Sequence, residues 1–536
     1  MLLTKTKSHI SKNSIQEQQQ SLLVAICILG SIIRIIHYIY NRSLWGDEAF
    51  LGINFLADGW KNLFQPPLLY FQQAPLGFLL LEKTLVSLFG PSEYTLRAVS
   101  LIFGISAIFL FKYLTNYFLY FPGKVIALFL FALSYPAIYH SVEAKQYSTE
   151  LFVSVLLYVS YLYYYKKEGT ITILRFGLIG AFVTWFSYSS LFILLGIANL
   201  ICIKLIFQRK WKLLLAHLPA FFLWIISFIP NYIFFIKPGS AIPWLVGMWQ
   251  GSFLPLSKQI FIWLVRTSIS IMQDPVGISW SHGKLIIICL GSFIGFVLFL
   301  IGAISLIKGD KEAIIVLLLP LFGALVASAL HKYPFYERFI LFSLPSFLLL
   351  IGCGFDRISL FLNRKPLYIY LIGFILLIPP IFNTIQHIIY PETYPIYADY
   401  RAGASFVAKN YKKENIYIPA IWGISSVEAG LNYYDKANNY QFSYHFLTKE
   451  TQVAKNEEEL LVQYMHVIST LKNQSSIWIV TNPTISAKIE SSKVTHTYIS
   501  ETDVILKAIQ NNGGKIDKYM RGKTIAAYHI QFGKPI

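Results

Sequence analysis

Charge is what this sequence has least of. Only 13% of its 536 residues are charged, while 55% are hydrophobic and the mean hydropathy is +0.54. A soluble domain carries roughly 25% charged residues, so an ordinary water-soluble enzyme of this length is excluded and lipid is the solvent for most of the chain. Cysteine is also scarce. Cys27, Cys202, Cys289 and Cys353 all lie in apolar runs, where a free thiol behaves as a small hydrophobe, and there is neither a disulfide framework nor a CxxC metal pair. Acids are outnumbered 27 to 45 by Lys and Arg, a net charge of +18. A nucleic-acid partner would need those bases on one soluble face, whereas here they sit in short loops between apolar runs.

What is present is a series of apolar runs of about 18 to 24 residues, the length that crosses a bilayer as a helix with its backbone internally bonded. About eleven are expected, near 21–40, 95–114, 121–139, 150–165, 171–189, 190–207, 213–236, 285–307, 312–330, 339–355 and 367–386. The first follows a polar tail with Lys5, Lys7 and Lys12 and has no small-residue cleavage site, so it reads as an anchor. Arg34 within it is the main intramembrane charge and is long enough to snorkel. Pro75 to Phe89 is too short for a further span, and Glu82-Lys83 at its centre is costly in hydrocarbon. It reads as a helix on the membrane surface.

With the N-terminus inside, the inner connections carry Lys112 and Lys124, Lys166-Lys167, Arg209-Lys210 with Lys212, Lys308 with Lys311, and Arg357 with Arg364-Lys365. This is the basic bias that the positive-inside rule asks for. The outer face then receives Asn41 to Tyr94, the connection around Glu143, Lys237 to Lys284, the turn from His331 to Arg338 and everything after about His387. Trp45, Trp60, Trp244, Trp249, Trp263 and Trp280 fall in two of these outer stretches and read as an interfacial aromatic belt.

Three parts are expected: a cytoplasmic tail (1–20), a membrane catalytic domain (21–387) and an extracytoplasmic α/β domain (388–536). In the last, Asn415 to Pro419, Ser476 to Val480 and Ala527 to Phe532 read as strands and Glu457 to Lys472 as a helix. The fold class is mainly α, a polytopic helical membrane protein with a C-terminal soluble α/β domain.

The most informative run is Leu44-Trp-Gly-Asp-Glu-Ala-Phe50, just after the first span. Two adjacent acids, Asp47 and Glu48, beside apolar surface are expensive to desolvate, and a carboxylate so placed suits general-base work on a hydroxyl. Further on come Phe71-Gln-Gln-Ala-Pro-Leu-Gly77, Leu88-Phe-Gly-Pro-Ser-Glu-Tyr-Thr-Leu-Arg97, Ser141-Val-Glu-Ala-Lys-Gln-Tyr147 and Tyr336-Glu-Arg-Phe339. In this order and spacing, over roughly residues 21 to 350, the set resembles the GT-C fold membrane glycosyltransferases. It is similar to the dolichyl-phosphate-mannose protein mannosyltransferases and to their bacterial relatives that use polyprenyl phosphate.

The resemblance implies a sugar transfer with inversion from a polyprenyl-phosphate donor to a glycan, lipid or protein acceptor, at the outer side of a bacterial cytoplasmic membrane. It implies Asp47 as the base and Glu48 as an orienting group. Glu143, in the family's pattern of an acid, a base and a tyrosine, and Glu150, where some relatives place a second acid, compete for a supporting role. Lys145 stands where the family more often has Arg, so a point charge replaces a bidentate fork. Arg338 is the first candidate for the donor phosphate, because a charge at the end of a span is expensive unless it meets an anion. Lys145 is second, and Arg97 and Lys83 are weaker. Lipid A aminoarabinose transferases have Lys next to the proline of the P-L motif, whereas Gln72-Gln73-Ala74 stands here, which argues against that substrate class.

No cofactor is expected, although a divalent metal at Asp47-Glu48 is left open because some GT-C enzymes use one. The 11 His are scattered without metal-ligand spacing, His140 and His331 read as structural, and Gly522-Lys-Thr524 has Asp517 where a phosphate loop needs its first glycine. Two rivals stand beside the enzyme: a lipid-linked sugar transporter or flippase, which would place charges at midplane and show repeated halves, and an inert assembly protein on the same scaffold.

Overall fold

In a computed structural model that describes residues 2–57, 59–64, 67–166, 169–240, 247–280, 285–362, 365–393, 397–419, 425–447, 456–484, 486–488 and 498–533, every expected apolar run is helical over most of its length. Lys167, Trp244 and Arg364, assigned above to inner loops and the aromatic belt, lie outside the described residues. The helices are α1 (Leu2–Tyr40), α2 (Gly46–Leu56), α3 (Leu76–Phe89), α4 (Glu93–Phe118), α5 (Phe121–Leu133), α6 (Tyr135–Ser141), α7 (Tyr147–Lys166), α8 (Thr170–Val183), α9 (Ser190–Phe207) and α10 (Trp211–Asn231). There follow a single turn α11 (Lys237–Ser240), then α12 (Ile260–Gln273), α13 (Leu285–Gly309), α14 (Lys311–Ala329), α15 (Leu344–Phe361) and α16 (Pro366–Ile389).

Among the described residues, 8 helices are long and apolar enough to cross a membrane, or 9 if the bent pair α5–α6 is one span, as befits a multi-pass membrane protein. Of the two remaining expected crossings, one falls short in length and the other in composition. α8 has only 14 residues, and α7 dilutes its apolar residues with Tyr158, Tyr161, Tyr163 and Tyr164 while packing inside the bundle.

The bend of 48° between α5 and α6 organises the bundle. Pro136 offers no N–H to the preceding turn, and Ser134 starts a new helix by accepting from Ala137 N. The carbonyls left open at the end of α5 are taken by Arg34, which donates to Ala132 O at 3.1 Å and Phe131 O at 3.4 Å. At the other end of α5, Asp356 of α15 accepts from Tyr120 N and Gly123 N, both at 2.8 Å. A cation thus meets the C-terminus and an anion the N-terminus, the pairing that orphan backbone groups and the helix dipole favour. Arg34 does not snorkel: it is 0% exposed, because three backbone carbonyls, Gly30 O included, meet its guanidinium inside the protein.

α3 is a helix, as expected, but its central charges are turned inward. Lys83 donates to Phe55 O and Ala57 O and so closes the end of α2, while Glu82 is fully buried. Leu88 and Phe89 remain exposed at its far end.

After α16 the pattern becomes α/β, with α17 (Tyr400–Asn410), α18 (Ser426–Asn438), α19 (Glu457–Ser469) and α20 (Glu501–Asn511) around strands β1 (Asn415–Ile418), β2 (Ser443–Phe446), β3 (Ser476–Thr481), β6 (Gly514–Arg521) and β7 (Ala526–Phe532). The sheet order is β2-β1-β3-β7-β6, with β1 parallel to both neighbours and β7 antiparallel to both of its own. β4 (Ser486–Lys488) and β5 (Tyr498–Ser500) form a separate pair. The strand period of two sends Trp478 and Val480 of β3 toward one cluster with Ala404 and Val407, and Ile477 and Ile479 toward another with Tyr464 and Ile505. The first cluster is continuous with α2: Val427, Leu431 and Tyr433 pack with Ala49, Leu51 and Phe55.

α13 and α15 touch backbone to backbone. A Cβ at Gly302 would fall 1.9 Å from Leu350 O, and one at Gly354 2.0 Å from Leu298 O. Small residues supply close packing where lipid gives helices no hydrophobic reason to associate. Gly354→Val is therefore expected to cost at least about 1–3 kcal/mol and to lower the unfolding temperature in detergent, whereas Gly309→Val, where an added Cβ meets nothing, is not.

Candidate active site

The Trp-Gly-Asp-Glu run is the start of a helix. Glu48 is the third residue of α2, and its Oε2 accepts from the backbone N of Trp45 at 3.2 Å, the return half of a capping box. Asp47 and Glu48 therefore occupy the first turn, where carboxylates suit the dipole, and as neighbours they point to different sides.

Glu48 turns inward and is fully buried. Arg97 grips it with two hydrogen bonds, Nε to Oε1 at 2.8 Å and Nη2 to Oε2 at 2.7 Å, and Ala144 N adds a third to Oε1 at 2.9 Å. The rest of the Arg97 guanidinium goes to Arg42 O and Ser43 O. Arg42 lies 4.0 Å from Glu48 and stacks 4.0 Å over Tyr139.

Asp47 turns the other way. Its Oδ2 meets Nη2 of Arg338 at 3.0 Å, and its side chain remains 25% exposed. Arg338, just before the last buried span, is ringed by Trp45, Trp249, Tyr147 and Phe339, with ring centroids 5.4–5.7 Å from its guanidinium carbon. Trp45 is fixed in this ring by Glu143, whose Oε1 accepts from its Nε1 at 2.9 Å, while Oε2 meets His140 Nδ1 at 2.5 Å. Burial alone would raise the Glu143 carboxyl, but His140 first, then Arg338 and Arg42, hold it down at about 2.

Lys145 is buried near Asp47 and donates to Oε1 of the half-buried Gln72 at 2.5 Å. Burial, with Arg338 adding to it, pushes its ammonium below the ordinary lysine value against the pull of Asp47, Glu143 and Glu48. Glu150 is held elsewhere, by Ser189 Oγ at 2.8 Å and Tyr188 N at 3.3 Å on the connection after α8. The structure thus brings Asp47, Arg338, Glu143 and Lys145 together with Glu48 and Arg97 directly behind them, and leaves Glu150 apart. A divalent metal does not fit between Asp47 and Glu48: both oxygens of Glu48 already accept from Arg97 and from backbone N–H groups, and no three metal-ligating side chains cluster among the described residues.

Residues that sequence reasoning passed over complete the site. His140 looked structural but pairs with Glu143; Gln72 looked like a mere departure from a motif but receives Lys145; Tyr147 and Trp249 wall Arg338. Asp274 had a readable signal, being the sole acid between Lys237 and Lys284. It lies across a cleft of about 350 Å³ from His140 and Arg338.

Two outcomes follow from this wiring. Arg97→Ala strands the Glu48 carboxylate and is expected to destabilise by about 3–5 kcal/mol, with Glu48→Gln partly restoring the double variant in an unfolding cycle. Because the folded pKa of Glu143 lies below its unfolded value, its contribution is whole above about pH 4.5 and is lost as pH falls toward about 2. His140→Ala is expected to move that loss to higher pH in an acid titration followed by tryptophan fluorescence.

No family model and no curated protein matches this sequence. Among solved structures the chain is similar to ArnT from Cupriavidus metallidurans bound to undecaprenyl phosphate, with a TM-score of 0.55 at 12% identity over 95% of this chain and 97% of that one. The same protein in its apo state gives 0.53 at 10% identity, over 96% and 98%. An oligosaccharyltransferase from Archaeoglobus fulgidus aligns at 0.47 and 12% identity, over 86% of this chain and 69% of that one, too low to carry argument. At such identities the likeness is one of fold: the chain shares the fold of that ArnT, as the motif resemblance to GT-C fold proteins led one to expect.

Proposed function

We propose that the protein transfers a sugar from a polyprenyl-phosphate donor to an acceptor hydroxyl, with inversion, at the outer face of a bacterial cytoplasmic membrane. The reading takes α1 to α16 as the membrane catalytic domain, with the N-terminus inside, and the α/β segment from 388 onward as an outer domain resting on α2. What carries it is the contrast between Asp47 and its neighbours. Glu48 and Glu143 have both oxygens engaged and no exposure, whereas the Asp47 side chain is 25% exposed and, among the described residues, is held by Arg338 alone.

In the proposed step Asp47 accepts the proton of the acceptor hydroxyl as that oxygen attacks the anomeric carbon. The bond from that carbon to the phosphate oxygen breaks, and the electron pair leaves with the lipid phosphate. Arg338 and Lys145 stabilise the phosphate as its charge grows. Arg338 also fixes the position of Asp47, and the aromatic rings around its guanidinium shield it from water, strengthening what it offers an anion. Arg97, turned entirely to Glu48 and nearby carbonyls, is a positioning residue in this scheme, and Lys83 closes α2. Glu150 braces the connection after α8.

Asp47→Asn is expected to lower transfer from labelled polyprenyl-phosphate sugars by about 10²–10⁴-fold while leaving donor binding and unfolding temperature unchanged. Arg338→Ala should instead weaken donor binding as well. Unchanged turnover in Asp47→Asn would remove the base role.

A further inference from the structure

Arg338, but not Asp47, lines a cleft of about 350 Å³ formed with Tyr135, Tyr139 and His140 of α6, Gln273 and Asp274 at the end of α12, and Tyr336 and Glu337. Its size suits one sugar ring rather than a lipid chain, and its lining combines aromatic faces with hydrogen-bonding groups. We propose that this cleft is a sugar-ring subsite in which Asp274 binds a ring hydroxyl, an inference that rests on the glycosyltransferase reading above.

Three observations carry it. First, Asp274 lines the cleft, and its Oδ1 is buried without a hydrogen-bond partner among the described residues, which leaves an acceptor there uncommitted. A hydroxyl supplies what it lacks. Second, Asp274 stands on a rigid element. Its N–H closes α12 on Ser270 O at 2.7 Å, Ser134 Oγ donates to Pro275 O at 2.9 Å, and Val276 and Ile278 are buried beside it. Gly277, at φ +79, lies so close that a Cβ would be 3.0 Å from Ser134 Cα, and this pins the segment to the start of α6. Third, the acids lie at this end and the second cation at the other. Asp274 and Glu337 line the cleft, whereas Lys145 lies near Arg338 without lining it, so an anionic phosphate is favoured on the Lys145 side.

The rings and the acid divide the work as sugar recognition requires. Aromatic faces cover the apolar C–H side of a pyranose, and buried polar groups read its hydroxyls. Tyr336 is 37% exposed and offers such a face. Burial pushes the Asp274 carboxyl up to about 7, with His140 and Arg338 pulling it down and Glu337 and Glu143 pushing it up. A site built to bond a hydroxyl rejects an analogue lacking it far better than an apolar pocket rejects an extra methylene. Asp274 is then the residue that chooses among sugars. The ring belongs to the donor or to a glycan acceptor, and the chemistry is the same for either.

The test measures binding by the full-length protein in detergent. The probes are short-chain polyprenyl phosphate, the same lipid bearing each of a panel of hexoses, and the methyl glycosides of those hexoses. If the ring is the donor's, Asp274→Asn weakens the preferred lipid-linked hexose about tenfold and flattens discrimination across the panel, while bare polyprenyl phosphate binds as in wild type. If it is an acceptor's, both lipids bind as before and the methyl glycosides lose about tenfold. Asp274→Glu, which keeps the acid, restores part of either effect, and should Asn fail to fold, Gln273→Ala is read by the same measurements. Unchanged affinity for every sugar probe, or an equal loss for bare and sugar-bearing lipid, overturns the proposal. Because only binding is read, a wild-type protein that binds these probes but transfers nothing would count against the catalytic reading and not against this subsite.

Discussion

A carboxylate sealed from water in a membrane protein needs donors on every side, and Glu48 has them. Removing such a charge from water costs several kcal/mol, which a two-pronged arginine and backbone N–H groups offset only if all stay in place. Three parts of the chain meet there: α2 through Trp45 N, α4 through Arg97, and the connection after α6 through Ala144 N. Asp47, Trp45, Glu143 and Lys145 each lie within a few residues of one of those three points. Their mutual geometry is inherited from a group that need touch no substrate.

The same end of the bundle is braced from the α/β side. Tyr434 of α18 accepts from Leu44 N at 3.0 Å and donates to Glu93 at 2.7 Å. Arg401 of α17 reaches Glu93 at 2.6 Å and Asn41 O at 2.6 Å, and Tyr70 donates to Glu428 at 2.5 Å. Gly46 and Gly52 let α18 lie close on α2, since a Cβ at either would come within 2.9–3.2 Å of Ser426 or Tyr433. The helix carrying Asp47 is therefore held between membrane helices on one side and a soluble-type layer on the other. A segment that looked separable by composition is part of the wall behind the site.

How much of this was legible in the sequence depends on the kind of signal. Long apolar runs state their helicity through length alone, and β3 announced itself by an unbroken apolar core. Asp47 and Arg338 stood out because charge is so rare in this chain. Pairings were another matter: nothing in the order of residues says that Arg97 faces Glu48 rather than a phosphate, or that Arg34 caps α5 instead of reaching water. Those outcomes depend on where a helix breaks and which carbonyls it leaves open, and that is decided by packing. Gly522-Lys-Thr524 shows the converse. It fails as a phosphate loop, and it is a turn whose N–H groups at Lys523 and Thr524 bind Asp399.

Arg338 stands where the charged groups and the cleft meet. Four aromatic rings and one carboxylate hold its guanidinium at a boundary, with Asp47 on one side, the cleft of Asp274 on another and Lys145 near enough to repel it. In the proposed reaction, a cation so placed sorts a sugar phosphate by charge. The anionic part is drawn toward the two cations, and the neutral hydroxylated part is left to the side where unpaired acid and aromatic faces remain. The anomeric bond, which joins those two parts, is thereby brought to the edge of the arginine that Asp47 already occupies. In a protein with so little charge, the proposed reaction thus asks one arginine both to separate phosphate from sugar and to orient the carboxylate of Asp47.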